Sequence, residues 1–179
     1  MNPDDVLGFW FRELTPAQWY KKDTALDEVV CERFGELQTR AAQCELFEWR
    51  EYIEGRLAEI IVLDQFSRNI FRDSAQAFAT DTLALALAQE AVSNHDTGQL
   101  DPTHRAFLYL PYMHSESREI HNIAVTLFSE AGMESNLDFE RKHKVIIDQF
   151  GRYPHRNEIL GRESTPAEIE FLKTEGSSF

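Results

Sequence analysis

The stretch Leu57-Ala58-Glu59-Ile60-Ile61-Val62-Leu63-Asp64-Gln65-Phe66-Ser67-Arg68-Asn69-Ile70-Phe71-Arg72 joins an almost wholly apolar run to a polar end. Leu57, Ile60, Ile61 and Leu63 fall at helical spacing, and a helix apolar on nearly every side belongs at the centre of a fold. The polar end has an echo. Asp64 to Arg72 reads Asp-Gln-Phe-x-Arg-x-x-x-Arg, and so does Asp148-Gln149-Phe150-Gly151-Arg152-Tyr153-Pro154-His155-Arg156, again after an apolar run, Val145 to Ile147. Upstream, Arg56 and Glu59 align with Glu140 and His143, so no longer register of matches exists. The two copies read as similar helix ends, not as a repeat.

Helical punctuation continues outward in both directions. Asn2 and Pro3 open a first helix, Thr15-Pro16 a second, and Asp23 or Thr24 caps a long third one carrying Leu26, Val29, Val30, Phe34, Leu37 and Ala41. Thr80 or Asp81 caps the run Leu83 to Val92. That run alternates as a strand would, but alanine at every second position argues for helix. Asp101-Pro102 starts a helix broken near Pro111, and Glu116 to Ala131 is the next, stopped by Gly132. Asn136 or Asp138 caps a helix ending at Phe150, with Gly151 just beyond. Thr165-Pro166-Ala167-Glu168 launches the last. Nine helical segments without a hairpin signal predict an all-α protein, a single domain over 1–179 built from antiparallel helix hairpins.

A net charge of -13 over 179 residues opposes polyanions, which excludes broad binding to nucleic acid or to an anionic membrane. No apolar run reaches the roughly 18 residues of a membrane span, and the N-terminus lacks the pattern of a signal peptide. Cys31 and Cys44 lie too far apart for a Cys-x-x-Cys site and read as buried free thiols, so a soluble cytoplasmic protein is expected. Against this acidic background, Arg141 to Arg162 holds six Lys/Arg and two acids. Such segregation would focus a field on a small anion, although Arg141, Lys142 and Lys144 read rather as a solvated helix face with cations near its C-terminal end.

Asp64 and Arg68 stand in the favourable order for a helical ion pair. Either Asp64 and Asp148 orient the arginines, which then cap terminal carbonyls, or Arg68, Arg72, Arg152 and Arg156 converge on an anionic ligand. His114 and Glu116 flank a proline-marked helix end and suit an acid–base pair. His-x-Glu spacing and a His121 two turns away make a poor metal set, so neither metal nor cofactor is expected. His155 lies on a loop, where polar residues more often bind than pack.

Four blocks carry a resemblance: Leu63 to Asn69, Ala77 to Asp81, Arg105 to Glu116 and Phe150 to Asn157. They resemble a widespread bacterial family of unknown function whose domain is all-helical and similar to tetratricopeptide-repeat folds. Ser67 departs from the proline usual at its position, and Asp148 is not part of the second block. The resemblance implies a fold and motif positions but no activity. The leading functional reading is a pocket for a small anionic metabolite, lined by Asp64, Gln65, Arg68, Asn69, Arg72, His114, Glu116, Arg152, His155, Arg156 and Asn157. The alternative is a helical interaction module that takes a protein or peptide in a groove and catalyses nothing.

Overall fold

The computed structural model describes residues 1–177 and contains ten α-helices and no strand among them. Helices α1 (Pro3–Gly8), α2 (Pro16–Trp19) and α3 (Thr24–Ala42) lead to α4 (Ile53–Ile61), which passes through a π turn, Val62–Phe66, into α5 (Ser67–Ile70). Then follow α6 (Asp81–Asn94), α7 (Pro102–Met113), α8 (Arg118–Phe128), α9 (Glu134–Phe150) and α10 (Pro166–Phe171). The starts are set by the caps that the sequence displays. Asn2 and Thr165 form capping boxes with Asp5 and Glu168, and the Asp23 and Asp101 carboxylates accept main-chain N–H groups of α3 and α7.

The apolar run is central, as its composition requires. Leu57, Ala58, Ile60, Ile61, Val62, Leu63 and Phe66 have no exposed surface. Around them pack α1, α3, α6 and α7. Ala84, Ala88 and Ala91, one helical face of α6, are fully buried. These small side chains let the backbone come close to α4 and α7, while Leu83, Leu85 and Leu87 wedge in beside them. Two glycines are required elsewhere, one by a close approach and one by its backbone conformation. A Cβ on Gly55 would lie 2.0 Å from the Trp49 carbonyl oxygen. Gly151 takes φ 71°, the left-handed turn that ends α9.

Some expectations need correction. The helix through Leu110 is not broken at Pro111. It runs on to Met113, since a proline so near the end forfeits one hydrogen bond without halting the turn. Helix α9 begins at Glu134, before Asn136. Cys31 and Cys44 are free but exposed: Val30, Phe34, Leu37 and Ala41 take the inner face of α3 and leave Cys31 outside. Val29, at 40 % exposure, is likewise off that face.

A second, smaller apolar cluster, Ile146, Ile147 and Tyr153, ties the C-terminal segment to α8 and α9. Its polar centre is buried. His121 and Glu140 are both fully buried and are hydrogen-bonded, Nδ1 to Oε1, at 2.7 Å. His121 Nε2–H donates to the Ser115 carbonyl (2.8 Å), and Tyr153 O–H donates to the Met113 carbonyl (2.6 Å). His143 Nδ1–H donates to the Phe139 carbonyl one turn earlier, and burial pushes its imidazole pKa down to about 3.

Two expectations follow. Gly55→Ala should lower stability by about 1–3 kcal/mol through overpacking. Gly35→Ala, in α3 with nothing within 4 Å of the new Cβ, should raise it by roughly 0.5–1 kcal/mol. Thermal melts of the two variants, moving in opposite directions, check this. The histidines set a pH dependence. A folded His143 that stays neutral while the unfolded chain protonates near pH 6.5 costs stability as pH falls below that value, on the order of 1.4 kcal/mol per pH unit. His143→Gln should flatten the decline in melting temperature between pH 6.5 and 5 relative to the parent, and an unchanged slope would show that His143 charges freely in the fold.

Candidate functional site

The site starts at Asp64, in the π turn between α4 and α5, where the helix takes one extra residue per turn and carries the carboxylate inward. It is 1 % exposed. Burial alone would raise its pKa, yet Arg68, His114 and Gln65 hold it far below the usual carboxylate range. His114 Nδ1–H donates to Oδ1 (2.7 Å), Gln65 Nε2–H to Oδ2 (2.5 Å), and the Arg68 guanidinium lies 3.1 Å from Oδ1. Burial and the nearby Arg68 push the His114 pKa down against the pull of Asp64, which favours the neutral ring. With its proton on Nδ1, that ring keeps a lone pair on Nε2, and no described residue hydrogen-bonds Nε2.

Arg68 reaches across to α6. Nη1 donates to Asp81 Oδ1 (2.8 Å) and to the Asp64 carbonyl (2.8 Å), and Nη2 donates to Asp81 Oδ2 (2.9 Å). On the other side of Asp81 stands Arg156, delivered by a 3-10 turn, Pro154–Arg156. Its side chain is 8 % exposed, and its one hydrogen bond among the described residues runs from Nη1 to Asp81 Oδ2 at 3.5 Å. Its Nε is buried without a hydrogen-bond partner. The guanidinium lies over the Phe78 and Tyr153 rings, 4.7 and 4.5 Å from their centroids. Burial first, then the charge of Arg68, pushes its pKa down.

These groups meet at a cleft of about 290 Å³ whose walls include Phe78, Asp81, His114, Ser115, Glu116 and Arg156. Glu116 is fully engaged. Arg162 grips it with two hydrogen bonds (2.6 and 2.9 Å), and the Tyr153 main-chain N–H donates to it at 2.8 Å. Those contacts overcome the effect of burial and hold its carboxyl ionised, which makes it a clamp on the loop rather than a proton carrier.

Of the residues singled out in the sequence, His114, Glu116 and Arg156 line the cleft, with Asp64, Gln65 and Arg68 directly behind. Asn157 is buried and accepts from Arg162 Nε (3.0 Å), so it steadies the Glu116 clamp. The His155 ring packs 5.5 Å from that of Tyr153, and burial and Arg156 lower its pKa to about 4. The others lie elsewhere. Asn69 and Arg72 both bond Asp27 of α3, and Arg152 takes Glu168 with two hydrogen bonds (2.6 and 2.8 Å) at the start of α10. Sequence reasoning missed Asp81, read as a helix cap, and Arg162, seen there as one of six cations. The available signal for Asp81 was its place beside Phe78 in the second block.

No helix of the described residues is long and apolar enough to cross a membrane. No curated protein matches the chain. A protein of unknown function from Agrobacterium tumefaciens has a solved structure that superposes with a TM-score of 0.90, at 38 % identity over 96 % of each chain. Residues 6–176 match a family described as bacterial protein of unknown function (DUF924). With that match running nearly end to end, the chain belongs to the DUF924 family.

Proposed function

We propose that the cleft binds a small anionic metabolite through a carboxylate or phosphate held by Arg156. The observation that carries this reading is the state of that guanidinium: it is buried, its Nε has no partner, and its contact with Asp81 is long. A buried cation with unused donors is costly unless an anion completes it. The two acids in the cleft walls do not fill that role, because Asp81 is engaged by both arms of Arg68 and Glu116 by both arms of Arg162. A planar fork over two aromatic faces suits a carboxylate or phosphate better than a point charge would. The volume also fits a small molecule and leaves little room for a peptide helix.

Thermal melts in inorganic phosphate and in succinate test this. A ligand at 100 times its Kd stabilises by about 2.7 kcal/mol. For a chain of this size that is a shift of roughly 5–10 °C. Arg156→Gln should remove the shift and leave a folded protein. Arg152→Lys, outside the cleft, should lower the melting temperature by several degrees with the ligand response intact. An unchanged response in Arg156→Gln rejects the assignment.

A further inference from the structure

We propose that His114, with Nδ1–H held by Asp64, is the general base of this cleft, accepting at Nε2 a proton from a hydroxyl or water beside a substrate anchored on Arg156 by its carboxylate or phosphate. The inference rests on the anion reading and adds a chemical step to it. The reaction class is activation of an oxygen nucleophile. The O–H bond breaks, its electron pair stays on oxygen, and the proton forms the N–H bond at Nε2. The imidazolium so formed faces the Asp64 carboxylate, which is already ionised and needs no rearrangement to stabilise it.

Three features favour a base over a packed histidine. First, the ring is oriented at one nitrogen alone. His121 is held at both nitrogens, by the Glu140 carboxylate and the Ser115 carbonyl, and His143 bonds the Phe139 carbonyl of its own helix, whereas His114 is held by Asp64 at Nδ1 and lines the cleft. Second, the orienting carboxylate is itself fixed on both oxygens, by Gln65 and by Arg68, so the ring cannot turn without breaking that set. Third, the competing proton carrier is removed, since Glu116 is locked to Arg162 and the Tyr153 main chain. Asp64 is a positioning residue here, acting through His114 and not on the substrate.

A pair of alkylating agents reads this without knowledge of the substrate. Bromoacetate carries the anion that Arg156 should hold, and bromoacetamide is its neutral counterpart. In each case Nε2 forms the N–C bond while the C–Br bond breaks and bromide leaves. Rates at His114 are taken relative to N-acetylhistidine, with peptide mapping to separate modification of the exposed Cys31 and Cys44. We expect bromoacetate to modify His114 at least tenfold faster than bromoacetamide on that scale, phosphate to protect, and Arg156→Gln to erase the preference. Histidine nitrogen NMR of the unmodified protein near pH 7 should show His114 protonated at Nδ1 and bare at Nε2, and Asp64→Asn should change that pattern. Equal relative rates for the two reagents would overturn both the anchor and the inference built on it. No modification of His114, with the phosphate-induced melting shift still present, would leave the anion reading and overturn the base. An Nε2–H tautomer in the parent protein would overturn it as well, whether or not Asp64→Asn folds.

Discussion

The ionised carboxylate of Asp64 is the constraint around which this end of the molecule is arranged. Placing an anion at 1 % exposure carries a desolvation penalty of several kcal/mol, so its surroundings must supply charge and donors in fixed positions. They come from three directions. Gln65 is its neighbour, Arg68 stands one turn on, and His114 arrives from the end of α7. Arg68 then extends the network to Asp81 at the start of α6, so that α5, α6 and α7 meet through one set of hydrogen bonds. Removing any one partner from such a set exposes the penalty that the others offset, typically about 3–5 kcal/mol for a buried pair.

Arg156 occupies the position that this network leaves incomplete. Two guanidiniums flank one carboxylate, Asp81, and Arg68 has the better geometry, with two bonds under 3 Å against one at 3.5 Å. Like charges so close repel, and the charge of Arg68 adds to burial, the larger cause, in pushing the pKa of Arg156 down. The Phe78 and Tyr153 rings moderate that repulsion through their faces but accept no N–H bond in the plane of the fork. The Nε donor of Arg156 therefore stays without a hydrogen-bond partner in the cleft wall.

Much of the helical layout was legible in the sequence because helix starts are local chemistry: Asn2, Thr15, Asp23, Asp101 and Thr165 all stand at or beside the caps they suggest. The centrality of Leu57 to Leu63 was equally legible, since an all-round apolar helix has one stable location. The π turn at Val62–Phe66 was not, because an extra residue in a turn leaves no mark on the apolar pattern. Nor were the long-range partners. Asp27 for Arg72, Glu168 for Arg152 and Arg162 for Glu116 are set by how helices distant in sequence meet. Of four arginines expected to converge, Arg68 and Arg156 do so, on a carboxylate that the sequence reading used only as a cap.

The echoed motif shows why local identity fell short. In the first copy the chain stays helical from Asp64 through Arg68, so acid and base four apart lie on one face and meet at 3.1 Å. In the second copy the same spacing crosses Gly151, whose left-handed backbone ends α9 one residue before Arg152. Asp148 stays on the helix surface and pairs backward with Lys144 at 2.7 Å, while Arg152 swings out to Glu168. The turn after it, through Pro154, then brings Arg156 back over Phe78 to the cleft. Where Ser67 lets the first copy continue as helix into a buried ion pair, Gly151 stops the second, and the chain beyond that stop brings Arg156 to Asp81.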